Sequence, residues 1–171
     1  DCSVATPATG KHLFTENTVI DASVVSPMDE IDGSGIRQQC IGWTLTGHSP
    51  ASGDLNHLVF TITNNATLTW RWDFAHRLTA TAGSNGTLAP AEGWYFAGTT
   101  VVITAYPSTY YHLGSWGGDI SDAGFSGNQL TVVMFQPRAL WATFEPNLTA
   151  TRGVPEYWLA GYGWTQDFEA A

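Results

Sequence analysis

One order of segments occurs twice along this chain, and that duplication constrains the fold more than any other feature. In the first half, Cys40-Ile41-Gly42-Trp43-Thr44-Leu45-Thr46-Gly47 carries an aromatic after a glycine and ends in a glycine-bearing turn. Leu113-Gly114-Ser115-Trp116-Gly117-Gly118-Asp119 repeats that arrangement in the second half. A polar loop follows each, then an alternating segment: Leu58-Val59-Phe60-Thr61-Ile62-Thr63 and Leu130-Thr131-Val132-Val133-Met134-Phe135. Each half closes on aromatic-rich runs, Thr67-Leu68-Thr69-Trp70-Arg71-Trp72 and Ala139-Leu140-Trp141-Ala142-Thr143-Phe144. Upstream, Asn17-Thr18-Val19-Ile20-Asp21-Ala22-Ser23-Val24 parallels Thr99-Thr100-Val101-Val102-Ile103-Thr104-Ala105-Tyr106. The copies read as residues 1–74 and 75–146, with 147–171 as linker and tail. An acidic insert, Met28-Asp29-Glu30-Ile31-Asp32-Gly33-Ser34-Gly35, lengthens copy one.

Most of these segments alternate apolar and polar residues and are rich in Val, Ile, Thr and aromatics, as half-buried strands are. Turn signals separate them: Asn64-Asn65, Ser84-Asn85-Gly86, Gly117-Gly118 and Ser126-Gly127-Asn128. No stretch before Asn147 keeps a 3.6-residue period. The expected fold class is all-β, two tandem small antiparallel sheets built from successive hairpins. Val154-Pro155-Glu156-Tyr157-Trp158-Leu159-Ala160-Gly161-Tyr162-Gly163 predicts a short C-terminal helical segment, with proline near its start and glycines to stop it. A second short helical piece is expected around residues 165–169.

Charge narrows the partners. Fifteen acids face six bases, giving a net charge of −9. Nucleic acid and anionic membranes both need a basic footprint, so neither is an expected partner. No apolar run approaches the roughly 18 residues of a membrane span. Charged residues are only 12% of the chain, so Thr, Ser, Asn and Gly carry its solubility, a profile expected of β-modules outside the cell. Asp1-Cys2-Ser3-Val4 shows no basic n-region, so any secretory leader is expected to be already removed. In that setting Cys2 and Cys40 are expected to pair, for about 3–4 kcal/mol; two buried thiols are the alternative.

The eight tryptophans raise the question of sugar binding, which uses exposed aromatic faces with polar groups nearby. Trp94, Tyr110 and Tyr111 lie near turns and are the ligand-contact candidates. Trp43 and Trp116 occupy one repeat position, and Trp72 and Phe144 nearly share another, so these four read as repeat-core aromatics. Asp29, Glu30 and Asp32 offer oxygen ligands, but without EF-hand spacing they read as a solvated loop, as does Asp119-Ile120-Ser121-Asp122; no metal is expected. His48, Asp54 and His57 share a loop but fit no regular element that would set them on one face. His76 and His112 read as surface or interface residues. With no nucleophile elbow, phosphate loop or carboxylate pair, neither catalytic residue nor cofactor is expected.

From Leu78-Thr79-Ala80-Thr81-Ala82-Gly83-Ser84-Asn85-Gly86-Thr87-Leu88 through Gly93-Trp94-Tyr95-Phe96-Ala97-Gly98-Thr99-Thr100-Val101 and Trp116-Gly117-Gly118-Asp119 to Ala142-Thr143-Phe144, copy two resembles the divergent InlB B-repeat family of bacterial surface proteins. Copy one looks like a longer variant of the same unit. The tail is similar to a connector that follows such repeats in large secreted bacterial proteins. The resemblance implies β-grasp-like or meander sheets and a non-catalytic structural or adhesive module at the cell surface or secreted. Its partners would be neighbouring domains of the same polypeptide, with like subunits or a surface glycan as further ones. The other reading is a carbohydrate-binding module appended to a polysaccharide-degrading enzyme.

Overall fold

A computed structural model of the chain describes residues 5–164 together with Phe168. The protein is mostly β-strand and divides into two compact units, Asp1–Ala75 and His76–Ala171.

In unit one, β1 (Ala5–Thr6), β2 (Val19–Val24) and β5 (His57–Thr61) form a three-stranded antiparallel sheet in the order β1-β2-β5. Its register sets Ala5 against Val24, Ile20 against Phe60 and Ala22 against Leu58. The period-two sequence decides which face is covered: Ile20, Ala22 and Val24 are buried while Val19 and Asp21 are exposed. Just ahead of β2, Asn17 takes the left-handed conformation (φ 70°), and its N–H donates to the Ile62 carbonyl at 2.7 Å. Next, β3 (Ile36–Thr46) pairs with β4 (Ser52–Gly53) and with β6 (Thr67–Ala82), whose residues up to Ala75 belong to this unit. Trp43, Leu45 and Leu58 are the buried centre of its core. Phe60, Ala66, Leu68 and Trp70 are only partly covered around them.

Unit two begins with the rest of β6 and continues through β7 (Gly86–Ala89), β8 (Glu92–Phe96), β9 (Thr99–Pro107) and β10 (Tyr111–Gly118). Then come β11 (Gly124–Ser126), β12 (Gln129–Met134), β13 (Arg138–Pro146) and α1 (Glu156–Gly161). One antiparallel sheet has the order β11-β12-β9-β7, with Leu88 opposite Ala105, Val101 opposite Val132 and Ile103 opposite Leu130. Gly98 (φ 81°) precedes β9, and its N–H donates to the Met134 carbonyl at 3.0 Å. β10 and β13 pair antiparallel. The expected succession of hairpins is not found: β2–β5, β7–β9, β9–β12 and β10–β13 each pair across intervening strands, and β13 also runs parallel to the end of β6, from Arg138 opposite Leu78 to Ala142 opposite Ala82. A parallel partner needs a long crossover rather than a turn, and strands β7 to β12 supply it. Leu78, Ile103, Leu130, Val132, Met134 and Leu140 are at most 3% exposed, each worth about 1.5–3 kcal/mol when fully buried.

The tail folds as the sequence predicts at its start. Pro155 is the N-cap of α1, Glu156 is the acid in the first turn, and Leu159 is the buried residue. The second helical piece expected around 165–169 lies outside the described residues except for Phe168.

Candidate functional site

The sequence candidates are distributed by β-sheet phase. Trp43 faces inward from β3 at 4% exposure, with Gly53 opposite it in the register. Phe144 faces inward from β13 at 8%, and Trp116 packs half-buried against the same core. Trp72 is half-buried on β6. Cys40 is buried, with Sγ 3.3 Å from the Gly42 carbonyl oxygen; its expected partner, Cys2, lies outside the described residues.

Trp94 lies half-buried on β8, a different strand from Tyr110 and Tyr111 at the start of β10. The Tyr111 ring stacks on Tyr157 of α1, centroids 5.6 Å apart and planes 9° from parallel. The Tyr110 ring meets Phe168 edge to face at 5.6 Å. Two candidate sugar platforms therefore hold the tail of their own chain. Beside them Trp158 and Tyr162 are exposed, with ring centroids 4.7 Å apart and planes tilted by 51°. A coplanar platform would need the planes aligned. A pocket of about 150 Å³ is lined, among the described residues, by Thr149, Arg152, Val154, Trp158, Leu159 and Phe168.

The polar candidates do not assemble a centre. His48 accepts a hydrogen bond from the Thr63 N–H through Nε2 at 3.0 Å and meets Phe60 edge to face. His57 instead pairs with Asp21, Nε2 to Oδ1 at 2.8 Å, both side chains at least half exposed. Asp54 stands 3.6 Å from Arg71. In the acidic insert, Glu30 accepts the Gly35 N–H and ties its loop together. Among the described residues no group of three His, Cys, Asp or Glu side chains is close enough to hold a metal ion. The His57–Asp21 pair is a solvated contact, so Asp21→Asn should move the stability of unit one by less than about 0.5 kcal/mol in urea titration. A larger loss would give the pair a structural role.

His76, expected at a surface or interface, is buried at 8% exposure. Its neighbour Ala75 is also buried, and consecutive strand side chains point to opposite faces, so β6 is covered on both faces there.

The pair that sequence reasoning missed is Arg138 with Asp122. Both guanidinium NH groups donate to the two Asp122 carboxylate oxygens at 2.6 Å, and they also donate to the Asp119 and Val133 carbonyls at 2.9 and 3.1 Å. The hydrogen bonds from Arg138 hold the Asp122 carboxyl below the ordinary carboxylate range, against a smaller opposing effect of burial. A signal existed: Arg138 shares the inward phase of Leu140, Ala142 and Phe144.

No helix is long and apolar enough to cross a membrane. Residues 76–148 match the family model of the divergent InlB B-repeat domain. That family comprises generally non-catalytic repeats associated with bacterial surface proteins. No curated protein and no solved structure gives a significant match to the chain.

Proposed function

Taking the family of residues 76–148 as the premise, we propose that the chain is a non-catalytic structural module of a secreted or surface bacterial protein, built from two copies of that repeat. One observation carries this reading, the agreement of strand pairings between the two units. The sheet order β1-β2-β5 answers β7-β9-β12, and each edge strand lies antiparallel on the far end of its central strand. Ile20 opposite Phe60 and Ala22 opposite Leu58 answer Val101 opposite Val132 and Ile103 opposite Leu130. The left-handed residue before the central strand makes the same hydrogen bond in both, Asn17 to Ile62 and Gly98 to Met134.

The numbering supports the same correspondence. Ile20 and Val101 stand 81 positions apart and Trp43 and Trp116 stand 73 apart, and the difference of eight is the length of the insert at residues 28–35. Short loops and their edge strands differ, since β4 pairs with β3 in unit one whereas β11 pairs with β12 in unit two. A repeat that spends its aromatic residues on cores, and whose outlying tyrosines pack on its own tail, suits a spacer that presents neighbouring domains.

The full chain should run unretarded in native gels loaded with cell-wall or plant polysaccharides and release no reducing sugar from them. Retardation abolished by Tyr111→Ala or Trp94→Ala would replace this reading with that of a carbohydrate-binding module. Sugar release would replace it with that of an enzyme.

A further inference from the structure

We propose that the open edge of β6 in unit one accepts a parallel strand with apolar residues at alternate positions, of the kind formed by residues 78–82 and supplied by a neighbouring repeat. The inference rests on the reading of the two units as copies. In unit two, residues 78–82 lie along β13 in parallel register, and the following Gly83 N–H donates to the Ala142 carbonyl at 2.8 Å. That strand completes the core. Leu78 and Ala80 are 0% and 6% exposed within it, and Leu140, Ala142 and Phe144 of β13 are covered to 3%, 1% and 8%.

Unit one holds the counterpart of β13 in residues 67–75 of β6, with Leu68, Trp70 and Trp72 where Leu140, Ala142 and Phe144 stand. All three are only half-buried. This stretch of β6 pairs with β3, the counterpart of β10. The further strand on β6 is β8, which meets it where the Ala80 N–H donates to the Ala91 carbonyl just ahead of β8, so among the described residues no strand is seen in the place that residues 78–82 occupy in unit two. Unit one thus shows the loss expected from removing that strand, an apolar row left partly wet beside an open row of backbone groups. A strand docking there gains main-chain hydrogen bonds and covers alternate side chains together. Trp70 is far larger than Ala142, so the inward residues of the incoming strand must be small, as Ala80 and Ala82 are. In unit two the strand enters through residues 83–85 directly ahead of β7. The same path brings the occupant in ahead of β1, from the polypeptide side of a preceding repeat.

The test is the full chain with the segment 77–85 duplicated directly ahead of Ser3, compared with the same graft carrying Leu78→Asp and Ala80→Asp in the duplicated segment. Amide exchange in residues 67–72 should slow about tenfold or more in the first graft relative to the second. Equal exchange in the two grafts, with the Asn17 and Ile62 amides still protected, would overturn the proposal while leaving the copy reading intact. Unprotected Asn17 and Ile62 amides would overturn the copy reading and the proposal with it. Concentration-dependent protection of residues 67–72 in the parent chain would overturn it in favour of a second copy as occupant.

Discussion

Arg138→Ala will lower the stability of unit two by about 2–3 kcal/mol, because it empties a buried side-chain position and removes charge-assisted hydrogen bonds, although the Asp122 carboxylate it leaves behind is half exposed. The residue stands at the head of β13 in the phase that buries Leu140, Ala142 and Phe144, and only 3% of its side chain is exposed. A guanidinium so placed has no water to solvate it. Its NH groups instead meet the forked Asp122 carboxylate and the carbonyls of Asp119 and Val133, which ties the loop between β10 and β11 and the end of β12 to one point. Alanine leaves a void where the side chain packed and takes a donor from the part-buried Asp119 and Val133 carbonyl contacts. Urea titration at neutral pH measures the loss. A value under about 1 kcal/mol would mean that the pair acts as a surface contact does.

The same pair sets an acid dependence, and its sign follows from Asp122. A carboxyl whose folded-state affinity for protons is depressed contributes stability that is present above the ordinary carboxylate range and is lost as pH falls through that range toward its folded value. Arg138 is shifted upward from a range already far above neutrality, so it adds nothing near or below pH 7. The parent chain should therefore lose stability in acid more steeply than Asp122→Asn, the two curves converging once the parent's carboxylate is protonated. Parallel curves would remove the pair from the account.

Much of this architecture could be read from residues alone where neighbours in sequence are also neighbours in space. The alternation in Val19-Ile20-Asp21-Ala22-Ser23-Val24 and in Thr99 to Tyr106 forecast β2 and β9, with Ile20, Ala22, Val101 and Ile103 inward. Pro155, Glu156 and Gly161 forecast α1 within a residue or two. The parallel contact of residues 78–82 with β13 left no local trace, since a pairing across more than fifty residues is written in neither partner. Arg138 and Asp122 failed for the same reason in part. The inward phase marked Arg138 as odd, but its partner lay sixteen positions upstream among turn residues that all look solvated. Stacking of Tyr111 on Tyr157 and the edge contact of Tyr110 with Phe168 are likewise long-range events, so tyrosines near a turn read as free platforms when both are seats for the tail.

Trp43→Ala should cost unit one about 4 kcal/mol, within the span for deleting a buried aromatic. The residue is the largest member of the buried cluster it forms with Leu45 and Leu58, and the apolar side chains packed against that cluster are half-covered. Half-covered neighbours are poorly placed to refill the space the indole leaves. The fit is tight on the strand side as well: a Cβ on Gly53 would lie 2.5 Å from Trp43 Cζ2, so the ring occupies the room that a side chain on β4 would take. Gly53→Ala must therefore displace the indole, and combined with Trp43→Ala it should cost less than the sum of the two single changes. The indole N–H of Trp43 is buried without a hydrogen-bond partner among the described residues, so shape and not polarity holds the ring in place. Trp43→Phe should accordingly lose much less, under about 1.5 kcal/mol. Trp116→Ala, half-buried beside the larger core of unit two, should fall between the two. Urea titration with amide exchange followed in each unit separates these effects. If Trp43→Ala and Trp43→Phe proved equally costly, the packing argument for unit one would fail.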